Sequence, residues 1–165
     1  MNEIPFNVEI DALIKELDKQ DAVGATIRSM IHIEHQLIGL IADQLPSPEA
    51  IEKSEIELSL RIDLALACGM PPFLKSPLRA MAKLRNKIAH RLDAKFTEAE
   101  MNDLAATLGP ELKPIYQTVL KMVADHGGLE GFDRDYSADD PVDRYCFLAV
   151  TMMMAITSWR SHLAS

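Results

Sequence analysis

Apolar residues recur at intervals of three and four along nearly the whole chain, and no convincing run alternates apolar with polar. A period near 3.6 residues gives a helix one buried stripe, whereas a half-buried strand needs a period of two, so the pattern predicts an all-α fold. A first short helix fits Val8 to Lys19. A second, about Ala22 to Gln44, is apolar on most of its circumference (Val23, Ile27, Ile31, Ile33, Ile38 and Leu40 among others), as expected of a central buried helix. Pro46 and Pro48 end it. Ser54 with Glu57 reads as a capping box opening a third helix through Cys68, stopped by Gly69 and the prolines Pro71 and Pro72. Ser76 with Pro77 at the first helical position opens a fourth. Thr97 with Glu100 is a second capping box, for a short helix to about Thr107, and after Pro110 another runs to His126. Residues 126–141 are rich in Gly and acid and read as a surface loop, and Asp139 or Asp140 before Pro141 caps a last helix from about Val142 to His162. Its Met152, Met153, Met154, Ile156 and Trp159 are expected in the core or a subunit interface. The expectation is one helical bundle of five to seven helices.

A chain of 165 residues, 48% apolar and 25% charged, suits a single domain over 1–165 with one sizeable core. The first twenty residues mix acids and lysines where a secretory signal would place a basic run and an apolar core, so none is expected. The longest uncharged run, 146-CFLAVTMMMAI-156, has 11 residues, against the roughly 20 that span a bilayer. Cys68 and Cys146 belong to no CxxC pair, and a reducing, cytoplasmic setting without membrane contact follows.

The charge distribution singles out one segment. Between Lys75 and Lys95 stand seven of the seventeen basic residues against the single acid Asp93, a local +6 in a chain of net −8, so the remainder carries −14. Bulk electrostatic coating of DNA or RNA is disfavoured, and a discrete anionic ligand fits better. In 75-KSPLRAMAKLRNKIAHRLDAK-95, Leu78, Met81, Leu84, Ile88, Ala89 and Leu92 form an apolar stripe with Arg85 near its middle. Lys75, Arg79, Lys83, Lys87 and Arg91 wind along the other side with Asn86 and His90, one turn apart and adjacent. Burying an unpaired guanidinium costs several kcal/mol, so Arg85 needs a carboxylate or faces a cleft or subunit boundary. Glu34 and Asp63, acids in otherwise apolar parts of the second and third helices, are the candidate partners. A solvated basic face, with Arg85 in an internal ion pair and His90 satisfied at a helix end, accounts for the same pattern.

The segment 85-RNKIAH-90 has the R-N-x-x-x-H form found in HEPN domains, helical bundles that include toxin and antiphage endoribonucleases. Arg61, Leu64, Ala65 and Gly69 ahead of it match an R-x-x-L-A-x-x-x-G segment, and with that order the chain also resembles the mannitol operon repressor family. The resemblance spans about residues 20–108, leaving 110–165 as additional helices packing on that core. It implies two functions. In one, two copies pair and cleave RNA without metal or other cofactor: His90 serves as general acid or base, Asn86 orients it or the substrate, and Arg85 holds the phosphate. Arg79, Lys83, Lys87 and Arg91 would add phosphate contacts, with Glu34, Arg61 and Asp63 in support. In the other, the protein is a noncatalytic regulator that binds a transcription factor, an antitoxin-like partner or an anionic ligand. Leu92 stands where toxin members commonly carry Tyr.

Two further spacings carry less. His32 and His35 lie one turn apart, but no third ligand accompanies them, so they read as polar positions on a partly buried helix. Asp133, Asp135, Ser137 and Asp139 echo a calcium loop, yet Ala138 takes the place of the turn glycine and Arg144 that of the bidentate carboxylate.

Overall fold

A computed structural model describes residues 8–52, 55–91, 93–126 and 137–163. Eight α-helices and one 3-10 turn account for the regular structure there: α1 Val8–Leu17, α2 Ala22–Ala42, α3 Glu49–Glu52, α4 Leu58–Ala67, the turn Pro72–Leu74, α5 Lys75–Ala89, α6 Glu98–Ala106, α7 Lys113–His126 and α8 Pro141–Leu163. No strand occurs among the described residues, and the fold is all-α. Leaving aside the four-residue α3, seven helices remain.

Two long helices organise the bundle. α2 packs on α8, α5, α4 and α1, and α8 packs also on α7, α1 and α6. From Tyr145 to Thr157 every side chain of α8 is buried, which a helix apolar all round requires. Met152, Met153, Met154 and Ile156 thus lie in the core of the single chain, beneath α1 and α2. α2 is central but not enclosed. Ile31 is 62% exposed and Ile27, one turn earlier, 43%, so two large apolar side chains of α2 stay open beside the exposed Arg28 and His35. The buried hydroxyls are satisfied locally: Ser29 shares a 3.0 Å hydrogen bond with the Tyr145 phenol, and Thr26 donates to the Ala22 carbonyl at 2.7 Å. Burial raises the Tyr145 pKa above its ordinary range, keeping the phenol neutral, and Phe96 stacks on its ring with centroids 4.7 Å apart.

Helix ends follow local chemistry. Asp21 caps α2 through the Gly24 N–H (2.7 Å), and Asp140 caps α8 by accepting from Val142 and Asp143. At Thr97 the capping box is complete, Glu100 N–H to Thr97 Oγ1 (3.2 Å) and Thr97 N–H to Glu100 Oε2 (2.9 Å). Gly69, at φ 100°, ends α4 in a left-handed turn, with the Met70 N–H on the Ala65 carbonyl and its own N–H on Leu66.

Two expected starts move. α4 begins at Leu58 with Glu57 preceding it and no side-chain cap, and Ser54 lies outside the described residues. The Ile56 carbonyl there accepts from the Arg61 guanidinium, a bond across five residues that no capping pattern announces. α5 continues directly from the 3-10 turn at Lys75, placing Pro77 third. Proline is tolerated there because the first four N–H groups of a helix have no internal partner. The expected loop around 127–136, with Asp133 and Asp135, and the apolar position Leu92 lie outside the described residues.

Candidate functional site

α5 buries Pro77, Leu78, Met81, Leu84 and Ile88, four of them on the predicted stripe, while Ala89 is exposed. At about 100° per residue Arg85 falls between Leu78 and Met81 on this stripe, and its side chain reaches towards Glu34 of α2. Its guanidinium is 42% exposed, with Nη2 3.9 Å from Glu34 Oε1 and Nη1 donating at 3.4 Å to Asn86 Oδ1, both long contacts.

Glu34 is held mainly by a different arginine. Arg61 Nη1 donates to Glu34 Oε2 at 2.8 Å and Arg61 Nη2 to the Ile56 carbonyl at 3.0 Å, with the Arg61 side chain only 10% exposed. The buried, carboxylate-paired arginine expected at position 85 is therefore Arg61. Asp63 does not serve Arg85. It accepts from Arg79 Nη2 through both oxygens at 2.9 Å and pairs with Lys75 at 3.2 Å. The hydrogen bond from Lys75, opposed by slight burial and aided by the Arg79 charge, lowers its pKa.

The basic residues thus divide. Arg79 and Lys75 are engaged by Asp63, and Lys87 by Glu100 of α6. Lys83 and Arg91 are exposed and make no ion pair among the described residues. Glu100 has two tasks, closing the α6 cap with Oε2 and holding Lys87 with Oε1, so one carboxylate links α6 to α5. Burial raises its pKa, but the bonds from Lys87 and Thr97 outweigh that and leave it lowered.

Asn86 and His90 are exposed, and His90 is the C-cap of α5 at φ −95° and ψ 4°. No hydrogen bond joins them. At about 100° per residue, Asn86 and His90 stand roughly 40° apart, whereas Arg85 and His90 are separated by about 140°. The solvent ridge of α5 therefore carries Asn86 and His90, and Arg85 lies around the helix from them.

Two neighbouring features carry no plain mark in the sequence. Leu60 of α4 is 53% exposed and, with Ile27 and Ile31, leaves apolar side chains open on the two helices that the Arg61–Glu34 pair joins. Between α5 and α6 lies a cleft of about 460 Å³ with an apolar floor. Its lining obeys one spacing on each helix, Ala80, Lys83, Leu84, Lys87 and Glu100, Asp103, Leu104, Thr107, so the signal was present but belonged to two segments whose apposition is tertiary.

Of the two histidines of α2, His32 is 3.2 Å from Glu16, which also lies 3.7 Å from Arg28, and His35 is exposed. Among the described residues no group of three His, Cys, Asp or Glu is placed to hold a metal ion, and no helix is long and apolar enough to cross a membrane. Cys68 and Cys146 are not joined in a disulfide. No family model, curated protein or solved structure matches the chain.

Proposed function

We propose that this protein acts on RNA as a regulatory factor, and that two copies together form a metal-independent endoribonuclease site from Arg85, Asn86 and His90. One observation carries the reading: Arg85 keeps a half-exposed guanidinium beside an exposed Asn86 because Arg61, not Arg85, neutralises the shared Glu34. A cation left in this state can exchange its long contact with Glu34 for a phosphate, through the planar fork that recognises phosphate oxygens. His90 is likewise uncommitted.

In the proposed reaction the ribose 2′-oxygen forms a bond to its own phosphorus and the 5′-oxygen leaves. One imidazole takes the 2′-hydroxyl proton and a second protonates the leaving oxygen, so proton count closes with two copies of His90. Arg85 offsets charge growing on the phosphate. Because Arg85 and His90 diverge by about 140° on one helix, pairing two chains lets Arg85 of one meet His90 of the other. Single-stranded RNA incubated with the protein in EDTA should give fragments ending in 2′,3′-cyclic phosphate. His90→Ala and Arg85→Ala should each lower the rate at least about 100-fold with the fold intact by circular dichroism. RNA left intact across varied substrates would overturn the catalytic reading.

A noncatalytic regulator is the second reading, and the open apolar residues Ile27, Ile31 and Leu60 favour it, since such residues grouped on adjacent helices suit a protein partner. Association with a transcription factor that Ile31→Glu abolishes and His90→Ala leaves unchanged would select it.

A further inference from the structure

The cleft between α5 and α6 is lined by none of Arg85, Asn86 and His90. Its volume, about 460 Å³, falls within the range of small-molecule sites. Ala80, Leu84 and Leu104 form its floor, and the Lys87–Glu100 ion pair crosses between its two walls. That pair is internally neutral. The other two charges on the walls, Lys83 of α5 and Asp103 of α6, are exposed and make no ion pair, either with each other or with another described residue. An apolar floor flanked by one unpaired cation and one unpaired anion on opposite walls is complementary to a specific chemistry.

We infer that this cleft binds a small zwitterionic molecule, an apolar body bearing an anionic group that meets Lys83 and a protonated amine that meets Asp103. The floor excludes water from the body of the ligand and supplies most of the affinity, while the two charges fix its direction. A singly charged molecule satisfies one wall and leaves the other charge solvated. A nucleotide or polyphosphate is disfavoured, because the two carboxylates, Glu100 and Asp103, balance the two lysines and leave the cleft without net positive charge.

The test uses 4-(aminomethyl)benzoate as a probe, with benzoate and benzylamine as singly charged controls, titrated into the full-length ¹⁵N-labelled protein. Saturable amide shifts clustered on α5 and α6 are expected, with affinity for the zwitterion about five-fold above either control, the size of one exposed ion pair. Lys83→Glu should weaken the probe and benzoate but spare benzylamine, and Asp103→Lys should do the reverse. Both positions are exposed, so both variants retain the fold, which the amide spectrum itself reports. Absence of saturable shifts, shifts gathered instead around Ile31 and Leu60, or equal affinity for the three probes would each overturn the assignment. None of these results depends on whether the protein cleaves RNA.

Discussion

Arg61→Ala should destabilise this protein far more than Arg85→Ala, although both arginines stand among apolar residues in helices. Arg61 makes two short hydrogen bonds from a side chain 10% exposed, to Glu34 Oε2 at 2.8 Å and the Ile56 carbonyl at 3.0 Å. Bonds to a charged group contribute about 1.5–3 kcal/mol each. Part of that returns, because the Ile56 carbonyl can rehydrate and Arg85 can move towards the abandoned Glu34, which leaves a net loss of about 3 kcal/mol. Arg85 has a 3.9 Å contact from a guanidinium 42% exposed, a pair of the kind that contributes about 0–1 kcal/mol. For a chain of this length about 2–4 °C accompanies each kcal/mol, so Arg61→Ala should lower Tm by about 6–12 °C and Arg85→Ala by less than about 4 °C. Urea unfolding followed through Trp159, the one tryptophan, gives the same comparison, since its indole N–H donates to the Gly69 carbonyl at 2.8 Å and ties α8 to the end of α4. A double variant, Glu34→Leu with Arg61→Met, should recover most of the loss by replacing the pair with apolar packing. Equal costs for the two alanine variants would refute the division of roles, and Arg85 would then be structural instead of available to a ligand.

Other expectations concern the helix ends and the core. Thr97→Ala should cost about 1 kcal/mol in urea unfolding, because it removes the acceptor for the Glu100 N–H. The lowered pKa of Glu100 means that its contribution to stability is present above its ordinary value of 4.5 and is lost as pH falls through the lower folded value. Stability of Glu100→Gln measured over the acid range should accordingly fall less steeply than that of the parent, and a parallel profile would contradict the assignment. Gly69→Ala should cost about 1–2 kcal/mol by thermal melting, all of it conformational, since a Cβ at this φ of 100° meets only the Leu163 methyl carbons at 3.7 Å. Gly69→Asn should cost less, asparagine being the better tolerated side chain in a left-handed cap. Tyr145→Phe should cost about 1 kcal/mol in the same melts, because Ser29 keeps its 3.1 Å bond to the Thr26 carbonyl and is not orphaned.

The amino-acid sequence by itself determined the helices and several of their ends. Spacing of three and four specifies a helix without reference to anything distant, and the Thr97–Glu100 box, the Gly69 stop and the Asp140 cap each involve groups within a few residues of one another. It also located the cationic helix and the azimuth of Arg85 on it, since helical geometry converts residue number into direction. Tertiary structure alone decided which charge each acid would meet. Arg61 and Arg85 both interrupt apolar helical runs, and Glu34, far from both in sequence, reaches one at 2.8 Å and the other at 3.9 Å only because α2, α4 and α5 pack as they do. Likewise Ile27 and Ile31 of α2 are as apolar as any buried residue, yet they stay open while the apolar α8 is enclosed by its neighbours. Periodicity gives the direction in which a side chain points, and packing sets what it finds there.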